Sequence, residues 1–260
     1  MKGRLILVPN ALDLGHEGVD LRNVLPDGVL RMAAGLPHWV VEDARSTRAF
    51  LKRVALVHPL ATALQAIQIV EMPRPPKGRP APGAQGGPAS QLLDGAWAAL
   101  LAPAQAGHDL GVLSEAGLPG VADPGARLVQ AAHDAGLEVL ALPGPSSLVL
   151  ALAASGLQGQ QFAFVGYLPQ EAEARSRRIR ELEAQSRKAD QTQLLIETPY
   201  RNQAVLQALL THLSVTTRLS ISIGLTLPEG YNRTATVAQW RQATPQLSER
   251  TPAVFGLLAR

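Results

Sequence analysis

The segment Ser114-Glu115-Ala116-Gly117-Leu118-Pro119-Gly120-Val121-Ala122-Asp123-Pro124-Gly125 follows an apolar run and precedes a helical pattern. Three glycines and two prolines in twelve residues impose an irregular backbone that can approach a ligand closely, and the carboxyl ends of strands are where open α/β sheets bind ligands. Leu142-Pro143-Gly144-Pro145-Ser146-Ser147 has the same character and brings hydroxyls and backbone N–H groups to a helix start. Taken singly, each loop reads equally well as a structural turn. Four carboxylates stand beside such strand ends as candidates for proton transfer: Glu42, Asp43, Glu115 and Glu197. Each could instead start a helix or pair on the surface.

Other chemistries are excluded. The 260 residues contain no cysteine, which removes disulfides, thiolate nucleophiles and Cys-ligated metals. The six histidines, among them His16, His38, His58 and His108, show no metal-ligand spacing, so no metal site is expected. Val8 leads into Pro9-Asn10-Ala11-Leu12 without the Gly-x-Gly of a dinucleotide fold. A net charge of +3 permits a polyanionic partner without requiring one. Aromatic residues are 4% of the chain, which argues against a stacking platform for single-stranded bases.

The elements that must position these residues alternate. Strands are expected at Arg4 to Pro9, His38 to Glu42, Ala66 to Glu71, Leu110 to Ser114 and Leu137 to Leu142. Helices are expected between them at Ser46 to Leu56, Gln91 to Ala106, Pro124 to Ala135 and Ser146 to Ala154, the order of a largely parallel sheet covered by helices. After a polar connector near Gln158 the alternation resumes with Phe162 to Leu168, a charged helix from Glu171 to Ala189, Thr192 to Glu197, a helix from Asn202 to Leu213, Arg218 to Leu225 and Ala253 to Ala259. Two domains are therefore expected, 1–158 and 159–260. The segment from Pro73 to Ser90, rich in proline and glycine and carrying Arg74, Lys77 and Arg79, reads as a long loop, either a solvated insert or a lid. The arginines of the Glu171 helix alternate with glutamates, which suits either a paired, solvated face or a phosphate-contacting one. No apolar run approaches the roughly 20 residues of a membrane span, and the run after Lys2 and Arg4 stops at Pro9, short of a signal-peptide core. No membrane partner and a cytoplasmic setting are expected.

The two loops, in this order and spacing, resemble the tetrapyrrole methylase superfamily, and within it the branch that methylates a cytidine ribose hydroxyl of small-subunit ribosomal RNA. That branch's Ser-Asp-Ala-Gly-x-Pro…Asp-Pro-Gly loop is similar to Ser114 to Gly125, with Glu115 for Asp, and its Leu-Pro-Gly-Pro loop matches Leu142 to Pro145. Its Glu-Asp-Thr-Arg, Gly-Phe-Leu-Pro and Tyr-Glu-x-Pro-His-Arg elements resemble Glu42-Asp43-Ala44-Arg45, Gly166-Tyr167-Leu168-Pro169 and Ile196-Glu197-Thr198-Pro199-Tyr200-Arg201. The resemblance implies two α/β domains, the N-terminal one a mostly parallel open sheet and the C-terminal one a mixed sheet, with S-adenosyl-L-methionine in the cleft between them, in a homodimer. It implies cofactor contacts at Pro9, Ser114, Glu115, Ala116, Ser146, Ser147, Glu197, Leu225 and Ala253. Asp43 and Glu115 are the leading candidates for the general base. The implied acceptor is ribosomal RNA or the small ribosomal subunit, with a small molecule such as a tetrapyrrole precursor, or a silent cofactor-binding role, as alternatives. The family's residues after the first strand, its Glu-Leu-Thr-Lys and its Lys-Gly-Glu are replaced here by Pro9-Asn10-Ala11-Leu12-Asp13-Leu14, Gly224-Leu225-Thr226-Leu227 and Arg250-Thr251-Pro252-Ala253.

Overall fold

The computed structural model describes residues 1–12, 20–73 and 95–260. His16, Asp13, Leu14 and most of the Pro73 to Ser90 loop, with Arg74, Lys77 and Arg79, lie outside the described residues. The chain forms two compact units, Met1–Pro145 and Ser146–Arg260.

In the first unit, β1 (Arg4–Val8), β2 (His38–Val41), β3 (Gln68–Glu71), β4 (Leu110–Leu113) and β5 (Glu138–Ala141) make one sheet in the order β3-β2-β4-β1-β5. Every neighbouring pair is parallel. A parallel strand covered on both faces must be apolar along its whole length, and Leu110–Leu113 is buried throughout. Successive residues feed opposite faces. Ile6, Val8, Trp39 and Val41 pack with α1 (Asp27–Gly35) and α2 (Ala44–Ala55), through Leu30 and Phe50 among others. On the other face Leu5, Val40 and Val112 pack with Leu101, Ala104 and Leu128. These belong to the stretch that holds α3, helical over 95–99, and α4 (Ala102–Gln105), and to α5 (Gly125–Asp134). The continuous helix expected to end at Ala106 is broken before α4, where Pro103 stands in the first turn and has no N–H to extend the previous helix. Gly111 is required by packing: a Cβ there would lie 2.7 Å from the ring of Trp39.

In the second unit, β6 (Phe162–Phe164), β7 (Thr192–Glu197), β8 (Arg218–Ile223), β9 (Tyr231–Thr236) and β10 (Ala253–Leu258) lie in the order β6-β7-β10-β8-β9. Only β6 and β7 run parallel; β10 is antiparallel to β7 and β8, and β9 to β8. The sheet is therefore mixed, as expected. Its central strand, β10, is buried at every residue. One face carries α7 (Ala172–Ala189), α8 (Asn202–His212) and α9 (Val237–Gln242), packed through Ile179, Leu206, Leu209 and Trp240 onto Leu219 and Phe255. The other carries α6 (Ser147–Ser155), whose Leu148, Ala151 and Leu152 bury against Leu194 and Val254. This packing places α6 in the second unit, so the division falls at Pro145 rather than near Gln158. Chain order alone joins α6 to the strand before it, whereas its buried face belongs to the second sheet. Three elements, α1, β9 and α9, stand beyond those expected from the sequence. In β9 only Ala235 is buried, so the strand offers no alternating pattern to read.

Candidate active site

Because the first sheet is parallel, the residues after β1, β2, β4 and β5 emerge at one edge. The chain leaves β1 toward β2 on one side and leaves β4 toward β5 on the other, which makes the β4–β1 boundary a switch point of the kind that binds ligands. The loops there are laced together. Asn10, buried just past β1, donates through Nδ2 to the carbonyls of Ser114 (3.2 Å) and Glu115 (3.0 Å). Its backbone exchanges two N–H···O bonds with Gly117, both 2.9 Å. The Pro143–Pro145 turn sits against the same place, since a Cβ on Gly144 would collide with the ring of Pro9.

Asp123 organises the long loop from within. Its carboxylate accepts from the Ser114 hydroxyl (2.6 Å), from the Gly120 N–H (2.9 Å) and from the Gly125 N–H (2.7 Å). The backbone turns that bring these donors inward put Gly120 at φ 84° and Ala122 at φ 64°, and an alanine in that region is strained. Neither Asn10 nor Asp123 was expected as a site residue. Asp123 lies inside the motif, so its position was visible, but its bonds to both ends of the loop were not.

The candidate bases separate by environment. Glu42, half-buried at the end of β2, accepts the Glu115 N–H through Oε2 at 2.9 Å. Burial pushes its carboxyl above the usual carboxylate range against that hydrogen bond, and the charges of Asp123 and Glu115 push the same way as burial. Asp43 instead caps α2: its Oδ1 accepts the Ser46 N–H at 2.6 Å, and its backbone carbonyl accepts from the Ser46 and Thr47 hydroxyls. The bond from the Ser46 N–H is the main force holding the Asp43 carboxyl below its ordinary value. The Glu115 side chain is exposed, as is Ala116, whereas Pro9 and Ser114 are buried. The first unit thus gathers Pro9, Glu42, Ser114, Glu115 and Ala116 at one edge.

Within the second unit, Glu197 ends β7 and Ala253 opens β10, and Ala253 pairs with Glu197 on one side and Ile223 on the other. Leu225 follows β8 and packs on the cluster that contains Leu148 in the first turn of α6. Ser146 precedes that helix but its hydroxyl makes no capping bond, and Ser147 is exposed. The buried Glu197 accepts the Thr198 N–H at 2.8 Å and meets Arg201 Nη2 at 3.2 Å. The same nitrogen donates to the Leu168 carbonyl at 3.2 Å, so the Ile196 to Arg201 and Gly166 to Pro169 elements are tied together. Two replaced elements have local structural reasons. Gly224 has φ 57°, and a Cβ there would crowd Leu227 and Thr251 at 3.2 Å each. The Thr251 carbonyl accepts from Asn202 at the start of α8, at 2.8 Å. Among the described residues no group of three or more His, Asp or Glu side chains could hold a metal ion, and no helix is long and apolar enough to cross a membrane.

The family model of the tetrapyrrole (corrin/porphyrin) methylases matches residues 40–237, which include both loops. The chain belongs to this family. Among curated proteins this chain is 38% identical over 127 residues to the ribosomal RNA small subunit methyltransferase I of Synechocystis sp., covering 49% of this chain and 44% of that protein. It is 42% identical over 108 residues to the protein of the same name from Mycobacterium bovis, covering 42% and 36%. The chain thus spans less than half the length of these relatives. Among solved structures, the methyltransferase CobJ superposes with a TM-score of 0.55 at 18% identity over 99% of this chain and 100% of that one. The uroporphyrin-III C-methyltransferase of Thermus thermophilus, solved with S-adenosyl homocysteine, gives 0.52 at 17% over 97% of each chain. At these identities the superpositions establish the fold.

Proposed function

We propose that this protein is an S-adenosylmethionine-dependent methyltransferase whose acceptor is a ribose hydroxyl of small-subunit ribosomal RNA. The observation that carries the reading is the Ser114 to Gly125 loop, built around Asp123 at the switch point of a parallel sheet, in a chain whose curated relatives bear the name ribosomal RNA small subunit methyltransferase I. The donor set suits the cofactor. The Ser146 hydroxyl is not committed to capping its own helix, Ala116 is exposed and small, and Glu42 and Glu115 offer negative charge to a cationic ligand. We assign cofactor contacts to Pro9, Ser114, Glu115, Ala116, Ser146, Ser147, Glu197, Leu225 and Ala253.

Bound S-adenosylmethionine supplies a methyl group already activated by its sulfonium, so the protein's share of the work is mainly alignment and exclusion of water. Asn10 and Asp123 fix the loop from outside and inside, which sets the position of the Ser114-Glu115-Ala116 backbone. A ribose hydroxyl is a weak acid and needs a base as its oxygen attacks. Glu42 is the carboxylate best suited to take that proton, because burial raises its affinity for protons while Asp43 is engaged as a helix cap. With the methyl group supplied by bound cofactor, the Glu42 carboxylate would accept the proton that the ribose hydroxyl gives up.

The test is incubation with radiolabelled cofactor and small ribosomal subunits from a strain lacking the modification, followed by nucleoside analysis. Label in a ribose-methylated nucleoside is expected. Label absent from RNA but found in a tetrapyrrole precursor supplied in parallel would replace the acceptor, and failure to bind the cofactor in calorimetry would remove the activity.

A further inference from the structure

Two of the chain's three tyrosines lie exposed at the end of the second sheet that carries Glu197: Tyr167 at 53% and Tyr200 at 73% exposure. The third, Tyr231, packs against the core. Tyr167 follows β6 and Tyr200 follows β7, and because these strands are parallel neighbours their loops leave the sheet side by side. The backbone continues the pairing beyond the strands, with the Ile196 N–H donating to the Gly166 carbonyl at 3.2 Å. Arg201, next to Tyr200, then reaches across to the carbonyl of Leu168, next to Tyr167. From α7, Arg175 Nη1 donates to the Gln170 carbonyl at 2.8 Å and fixes the far side of the same loop.

We propose that Tyr167 and Tyr200 form a stacking surface for one or two unpaired nucleobases of the acceptor RNA, beside the end of the sheet that holds Glu197 and Ala253. The proposal rests on the RNA-methyltransferase reading. Pinned loops present the rings at little ordering cost, and a nucleobase of any identity offers a face to stack on. The guanidinium of Arg201 is occupied by a carboxylate and by loop carbonyls, so the surface recognises bases rather than phosphates. Aromatic scarcity along the chain rules against a long platform, but two rings are enough for the bases flanking one reactive ribose.

The experiment measures binding of a fluorescein-labelled oligocytidine and of its abasic counterpart by anisotropy, with the full chain and saturating S-adenosyl homocysteine. Tyr200→Ala and Tyr167→Ala are each expected to weaken oligocytidine binding about tenfold, and Tyr200→Phe to bind like wild type. The abasic strand should bind wild type as weakly as the alanine variants bind oligocytidine. Calorimetry should give the same cofactor affinity in all four proteins. Alanine variants that bind like wild type, an abasic strand that binds as tightly as the intact one, or a wild type that binds neither would each overturn the proposal. The methylation assay separates the two readings: labelled subunits with wild-type KM in both alanine variants sink the stacking surface alone, whereas base-dependent binding without any labelling sinks the acceptor.

Discussion

Asp123 draws three donors onto one carboxylate, and those donors lie at the beginning, the middle and the end of a single loop. Asp123→Ala leaves the Ser114 hydroxyl and two glycine N–H groups to find other partners, and hydrogen bonds to a charged group contribute about 1.5–3 kcal/mol each at most. Since the site is partly solvated, a loss of about 2 kcal/mol in chemical denaturation is expected, together with weaker cofactor binding in calorimetry. A variant that binds cofactor like wild type would remove the loop from the site. Glu42 behaves differently because its folded carboxyl titrates above its unfolded value. The native state then holds the proton more tightly than the unfolded chain does. The stability this contributes is fully present below the ordinary carboxylate value and is lost as pH rises through the raised one. Glu42→Gln cannot ionise, yet its amide oxygen can still accept the Glu115 N–H. It should therefore match wild type in acid and exceed it in melting temperature at neutral pH, while losing about a hundredfold in turnover if Glu42 is the base. Asp43→Asn, a change at a cap, should lower stability with turnover nearly kept.

At the scale of elements, two glycines make opposite predictions. Gly111 on β4 faces the ring of Trp39 on β2, at 2.7 Å from the position of an added Cβ. Trp39 cannot withdraw, being buried with its Nε1 bonded to the Leu36 carbonyl at 3.0 Å. Gly111→Ala should cost about 1–3 kcal/mol by overpacking. Gly28 in α1 meets nothing within 4 Å, so Gly28→Ala should add roughly 0.5–1 kcal/mol through helix propensity. Urea titrations of both variants check the pair. The same contrast explains what was legible in the sequence. The inner strands of the first sheet, buried on both faces, are unbroken apolar runs, and the loops at their ends are marked by glycine and proline. β9 is a polar edge whose only buried residue is Ala235. The start of α1 lies just after Pro26 without a side-chain cap. The bonds that build the site are long-range ones, Asn10 to Ser114, Glu42 to Glu115 and Arg201 to Leu168, and no local pattern announces which residues will meet. That is why Glu42 was only one of four carboxylates in the sequence and becomes distinct once its burial is known.

At the scale of the whole molecule, charge decides how RNA binding should respond to salt. The net charge is +3, and the arginines that looked most like a phosphate-binding face are engaged on α7 itself: Arg177 meets Glu173 at 3.7 Å and Arg178 meets Glu181 at 3.3 Å. Exposed pairs of this kind are worth little for stability, but they reduce the positive field along the helix. Arg175 and Arg201 are turned to carbonyls of the Leu168 to Gln170 loop. If bases on Tyr167 and Tyr200 carry the affinity, few phosphates are neutralised and few counterions are released. The slope of log affinity against log salt is about −0.7 per phosphate on a single strand, so two or three contacts give a slope of about −1.4 to −2.1. Anisotropy titrations of oligocytidine over a series of potassium chloride concentrations should fall in that shallow range. In the Tyr200→Ala variant the slope should stay unchanged while the affinity drops at every salt concentration, because stacking is lost and the ionic contacts are not. A slope of about −4 or steeper in wild type would mean that phosphates dominate, and an alanine variant whose slope flattened would mean that Tyr200 acts by positioning an ionic contact rather than by stacking.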